Sequence, residues 1–271
     1  MGNTFKTPQQ IQESRNKAFR KLCYFGSQST KVQKMIDSKF VDINAKDTEG
    51  DSALSHAVRY DNRAVVKILV DANADMESVG ADGLNALQLA SYAGYTEIVQ
   101  ILIDNNVDLE SKDENGNTAL NWAVGSDHQE IVQILIDNNV DVESKDKNGL
   151  TALVQAAKLD QKEIVQLLIN AHANVNTKDN GGETLLMRLS HQSVWDQANL
   201  LEIVQLLLDA KLDLSITAPY NALVCCKPTA LVLFEYCYEV QVDKSELLRS
   251  IIEKLKCTAN CNIQNVIIEV N

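Results

Sequence analysis

The side chains best suited to chemistry are few and scattered. Four histidines, His56, His128, His172 and His191, stand far apart along the chain. Of six cysteines, Cys23 lies near the start, while Cys225, Cys226, Cys237, Cys257 and Cys261 fall in the last fifth. A Cys–His pair using Cys225 or Cys226 would be the arrangement for nucleophilic chemistry, since a thiol needs a neighbouring base. Nothing in the sequence around them supports it. Neither CxxC pairs nor histidines at ligand spacing accompany the cysteines, so no zinc site is expected. They read as reduced, mostly buried small side chains. Gly181-Gly182 marks a turn with no phosphate loop after it. The carboxylates recur at a fixed interval, as turn and cap residues would. No catalytic, cofactor-binding or metal-binding residue is expected, and the chain is read as a non-enzyme.

Bulk properties narrow the partners. A formal charge of -12 over 271 residues argues against nucleic acid, whose phosphates call for clustered Lys and Arg. No apolar run reaches the roughly 20 residues that span a bilayer. The opening MGNTFKTPQQIQESRNKAFRK lacks the apolar core of a secretory signal. It begins Met-Gly, but Lys6 occupies the place where a myristoylation motif has Ser or Thr. A monomeric cytoplasmic protein is expected.

The elements behind this pattern repeat. EIVQILIDNNVDLESKD begins at Glu97, and EIVQILIDNNVDVESKD follows 33 residues later at Glu130. Gly50, Gly83, Gly116, Gly149 and Gly182 keep the same step of 33. Four residues after each glycine comes Leu54, Leu87, Leu120, Leu153 or Leu186, and seven after it Ala57, Ala90, Ala123 or Ala156, with Leu189 last. The glycines suit turns with positive φ. Ser52, Asn85, Thr118, Thr151 and Thr184 are placed to N-cap a first helix. Asp127-His-Gln-Glu130 and Asp160-Gln-Lys-Glu163 read as capping boxes opening a second helix. In that helix IVQIL or IVQLL supplies one wide apolar face, and Asn73, Asn106 and Asn139 suit its left-handed end. Units of turn, helix, turn and helix cannot bury an apolar face singly, whereas a stack of them buries a continuous core.

These residues resemble the ankyrin repeat, with its 33-residue period and D-x-x-G-x-T-P-L-H-x-A pattern. DENGNTALNWA (113–123) and DKNGLTALVQA (146–156) carry the likeness. The resemblance implies an all-α solenoid of helix-turn-helix units with β-turn or hairpin fingers, capped at both ends. The expected layout is a flexible N-terminus (1–13), an N-terminal capping repeat (14–46) and five repeats (47–79, 80–112, 113–145, 146–178 and 179–214). The last repeat holds six extra residues within HQSVWDQANLL, between its two helices. A degenerate repeat and helical cap would fill 215–271. The polar surface of Gln12, Glu13, Arg15, Asn16, Lys17 and Arg20 suits a solvent-facing end. Ala53, Ala86, Ala119 and Ala152 replace the family's Pro, and Ser55, Gln88, Asn121 and Val154 replace its His. The loss of a rigid helix start and a hydrogen bond between turns is expected to cost some stability.

Ankyrin arrays bind proteins through turn tips and first helices lining a concave groove. The positions that vary there nominate Arg59, Tyr60, Leu84, Tyr92, Asn117, Trp122, Leu150 and Lys158, with Trp195 in the insertion. Aromatic and Arg anchors carry much of the binding energy of protein interfaces. The expected function is a non-enzymatic adaptor, scaffold or sequestering module for a protein partner. The alternative is a substrate-recruiting effector with its activity in the cysteine-containing region 215–271. Intracellular bacteria deliver ankyrin proteins of such a layout into host cells, which would place the chain in host cytoplasm.

Overall fold

The computed structural model describes residues 7–24, 28–190 and 197–212. The chain divides into two units, 1–147 and 148–271, each taken by itself. The C-terminal region 215–271 with its five cysteines, and the insertion residue Trp195, lie outside the described residues.

The first unit holds α1 (Pro8–Tyr24), α2 (Ser29–Asp37), α3 (Ala53–Arg59), α4 (Arg63–Asp71), α5 (Ala86–Ala93), α6 (Thr96–Asp104), α7 (Ala119–Gly125) and α8 (Gln129–Asp137). Each odd-numbered helix packs on its successor to form one repeat. The odd-numbered helices also pack on one another in chain order, as do the even-numbered ones, which gives an inner and an outer layer. Ala57, Ala90 and Ala123 are fully buried, and their single methyl groups let the inner helices meet closely. Leu54, Leu87 and Leu120 fill the space beside them, and Val65, Val66, Leu69, Ile98, Val99, Leu102, Ile131, Val132 and Leu135 form the outer helices' buried face. The 33-residue pattern is thus a packing pattern.

Backbone conformation explains the other fixed positions. Gly116 has φ 80°, and a Cβ there would lie 2.9 Å from the Lys147 backbone nitrogen, where the next finger crosses. Asn73, Asn106 and Asn139 adopt φ of 58°, 61° and 62°, the left-handed ends expected of them. The capping-box expectation needs correction. Asp127 and Asp160 are themselves left-handed, at φ 59° and 61°, and the second helices start one residue later, from His128 and Gln161. Full boxes sit instead on first helices, at Asn85 and Gln88, where each side chain bonds the other's backbone N–H, and at Thr118 and Asn121.

Helix α1 begins at Pro8, so residues 8–13 are helical rather than flexible. Two of the polar residues expected on its solvent face are buried. Asn16 Oδ1 accepts from Asp42 N at 3.1 Å, and Arg20 Nη1 donates to Ala45 O at 3.3 Å. Both tie the helix to the segment that follows α2. Cys23 is buried without a disulfide, and burial pushes its thiol up to about 12.

The second unit contains α9 (Ala152–Lys158), α10 (Lys162–Asn170), α11 (Leu185–Ser190) and α12 (Gln197–Asp209). Here α9 packs on α10 and α11, and α10 on α12, the same two layers. Part of the insertion is not loop: residues 197–200 lengthen α12 to 13 residues, against 9 in α10. Among the described residues of both units there is no strand, only an isolated bridge between Lys178 and Thr184. No described helix is long and apolar enough to cross a membrane.

Candidate protein-binding surface

The fingers at Gly50, Gly116 and Gly182 are each organised by a carboxylate three residues before the glycine. Asp47 Oδ1 accepts the backbone N–H groups of Glu49 (2.9 Å) and Asp51 (3.0 Å). Asp113 Oδ1 does the same for Asn115 (2.7 Å) and Asn117 (2.8 Å). The second oxygen is tied to the inner helix nine residues on. His56 Nε2 lies 2.8 Å from Asp47 Oδ2, and Trp122 Nε1 donates to Asp113 Oδ2 at 3.1 Å. In the second unit Asp179 receives Gly181 N, Glu183 N and the Arg188 guanidinium. Three chemically different donors therefore perform one task at one repeat position. Burial alone would raise the Asp47 carboxyl, but the His56 hydrogen bond and the two backbone N–H groups outweigh it and hold the group below its ordinary range.

Repeat two breaks this rule at both ends. Gly80 replaces the carboxylate and Leu89 replaces the donor. The preceding repeat supplies what is missing. Asp51, itself buried, accepts from Ala81 N at 2.9 Å, and Arg59 spans from Asp51 (3.3 Å) to Asp82 (3.1 Å). A Cβ on Gly80 would lie 2.5 Å from Asp51 Oδ1, so the absent side chain makes room for the substitute contact.

Aromatic rings rise beside these fingers. Tyr60 and Tyr92 are 53% and 52% exposed on a layer whose alanines and leucines are buried. Tyr92 meets Trp122 edge-on, with centroids 5.4 Å apart and planes at 81°. Tyr24 stacks on His56 at 4.4 Å and leans on Tyr60 at 4.9 Å. Tyr24 was not legible as a site residue, because its repeat lacks the glycine that sets the register elsewhere.

The residues nominated from sequence divide into groups. Arg59, Tyr60, Tyr92 and Trp122 lie on the inner helices of the first unit beside the fingers, with Arg59 engaged by Asp51 and Asp82 and Trp122 half-buried. Leu84, expected at the surface, is only 6% exposed, because its carbonyl closes the finger on Gly80 N and its side chain turns into the core. Asn117 is half-buried and serves its own finger, donating Nδ2 to Asp113 Oδ2 at 3.2 Å. Leu150 and Lys158 are half-buried in the second unit, where Leu159 is more exposed, and Trp195 falls outside the described residues. The inter-turn bond thought lost with the family's His persists in one repeat: Gln88 Nε2 donates to Ser111 O at 2.9 Å and Asn117 O at 3.3 Å. His128, which the sequence put inside a capping box, lies with its Nε2 3.1 Å from the Tyr92 carbonyl oxygen. Among the described residues no three His, Cys, Asp or Glu side chains gather as metal ligands would.

Comparisons with known proteins agree with this architecture. Residues 72–146 and 135–218 match the family model of ankyrin repeats in three copies, and residues 49–80 match that of the single ankyrin repeat. No curated protein sequence matches the chain significantly. Among solved structures, the chain is similar to the ankyrin repeat domain of Bcl-3, described as a unique member of the IkappaB protein family. The TM-score is 0.70 at 24% identity, over 84% of this chain and 98% of that one. That likeness concerns the fold.

Proposed function

The chain belongs to the ankyrin repeat family, and on that premise we propose that it is a non-enzymatic adaptor or sequestering module that binds a protein partner. The binding face is the finger side of the inner helices in the first unit, centred on Tyr60, Tyr92 and Trp122. One observation carries the reading: Tyr60 and Tyr92 leave about half their surface in water on a layer that buries its leucines and alanines. A ring that meets a neighbouring ring yet leaves half of the residue's surface in water is a ready anchor for a partner, and burying such a ring is worth ~2 kcal/mol or more at an interface. Leu150, Lys158 and Trp195 remain secondary candidates. We place the protein in the cytoplasm, a reading supported by the free thiol of Cys23, and take it to act as a monomer. The charge of -12 favours protein over nucleic acid as the partner.

Affinity capture from a cytosolic lysate tests this. The intact chain is compared with a Tyr60→Ala, Tyr92→Ala variant that retains its helical signal. A partner held by the first and lost by the second is the expected result; an unchanged set of captured proteins would remove the face from consideration.

A further inference from the structure

Two hollows flank Tyr24, and their charges differ. The one toward α1 is lined by Glu13, Asp47 and Glu49 but also by Lys17, Arg20 and Lys21, so carboxylates and cations balance. The other, of about 380 Å³, lies between the first two fingers and is walled by Tyr24, Glu49, Asp51, Arg59, Tyr60 and Asp82, with His56 and Ala81. Three carboxylates, Glu49, Asp51 and Asp82, face one guanidinium there; Glu49 also lines the first hollow, and over both hollows five carboxylates meet four cations, so the surplus negative charge lies on the Arg59 side.

From this hollow we infer that the partner is basic: an Arg or Lys side chain of the bound segment seats against Tyr60 and pairs with Glu49 and Asp82. The inference rests on the proposed binding face and names the chemistry of its occupant. Four features of the hollow support it. Tyr60 exposes about half its surface beside the carboxylates, and a cation over an aromatic face is attracted by the ring quadrupole. Glu49 is exposed at the finger tip, where its carboxylate can meet an incoming charge. Arg59 already lies between Asp51 and Asp82, so this geometry accommodates a guanidinium. His56, buried and lining the same hollow, has no hydrogen-bond partner at Nδ1. The Asp47 carboxylate can only accept, so His56 Nε2 donates to it, and Nδ1 is left as a buried polar atom with no partner. The field is felt at the ring as well. Burial first, then the charges of Tyr60, Asp47, Glu49 and Asp51, raise the Tyr24 hydroxyl above its ordinary value.

The test uses the full chain and three fluorescein-labelled peptides, alternating Gly with Arg, with Lys or with Glu, read by fluorescence anisotropy. Tyr60→Leu keeps apolar bulk but removes the ring, and Glu49→Gln removes one charge in the hollow. Asp71→Asn removes the same charge from the exposed end of α4. The expected result is binding of the Arg and Lys peptides, weakening as salt rises, and no binding of the Glu peptide. Tyr60→Leu and Glu49→Gln should each weaken it about fivefold, and Asp71→Asn less than about twofold. Equal weakening by all three variants would mean diffuse attraction to an acidic protein and would overturn the inference, as would failure of both basic peptides to bind. If those peptides fail while a lysate partner is still held through Tyr60 and Tyr92, only the basic occupant is wrong. If capture is also indifferent to those tyrosines, the binding face itself is wrong.

Discussion

The finger of repeat three and the finger of repeat two solve one problem in opposite ways. In repeat three Asp113 gathers the backbone N–H groups of Asn115 and Asn117 and fastens itself to Trp122, all within one repeat. In repeat two Gly80 has no side chain to gather anything, and Asp51 and Arg59 of the preceding repeat reach across. The carboxylate that organises the repeat-three finger comes from its own repeat, whereas the one that serves the repeat-two finger comes from the repeat before it. The anionic hollow lies at this second finger, where the framework rule has been relaxed. A repeat array can free a finger for recognition by moving its anchor into the neighbouring repeat.

The largest effect expected from this contrast is on stability. Asp113→Ala removes a partly buried carboxylate with two backbone donors and an indole N–H, leaving those donors unpaired, and should cost about 2–3 kcal/mol. Asp82→Ala, at the externally held finger, loses one partly exposed ion pair with Arg59 and should cost at most about 1 kcal/mol. Urea unfolding of both variants measures the difference. Equal costs would mean that the two fingers are anchored alike.

A smaller effect should appear with pH. His56 does for Asp47 what Trp122 does for Asp113, and its bond to the carboxylate is one of those that hold the Asp47 group ionised. The Asp47 carboxyl is held below its ordinary range in the folded chain, so its contribution is fully present above the ordinary carboxylate pKa and is lost as pH falls through the lowered value. Between about pH 5 and pH 3 the intact chain should therefore lose stability more steeply than Asp47→Asn. Urea midpoints across that range test it, and parallel curves for the two proteins would show that Asp47 contributes nothing to the acid limb.

The parts that were legible in the sequence are those fixed by the backbone. Gly116 and Asn106 sit where a left-handed φ is needed, and Ala90 and Ala123 where helices touch, so each reports its environment by type alone. The parts that were not legible depend on which side chain finds which partner. Nothing in the spacing says that His56, Trp122 and Arg188 share one role, because they share only a donor group and a distance of nine residues from an Asp. Asp127 and Asp160 were misread as caps because Asp serves equally in a cap and in a left-handed turn, and one residue of register separates the two. Leu84 follows a turn glycine, which suggested exposure, yet the finger folds its side chain inward.

The smallest stability effect concerns the aromatic face and separates recognition from scaffold most cleanly. Tyr92 touches Trp122 edge-on, and such pairs are worth about 0.5–1.5 kcal/mol beyond the area they bury. A double-mutant cycle of Tyr92→Ala and Trp122→Ala, each of which removes the ring contact, should thus return a coupling of about 1 kcal/mol in urea unfolding. The same Tyr92→Ala change should reduce capture of the protein partner far more than it reduces stability, because half of that ring faces water in the free protein and is covered only on binding. A Tyr92→Ala variant that lost several kcal/mol of stability while keeping its partner would assign the ring to the stack. Recognition would then have to be sought at Tyr60 and the externally held finger beside it.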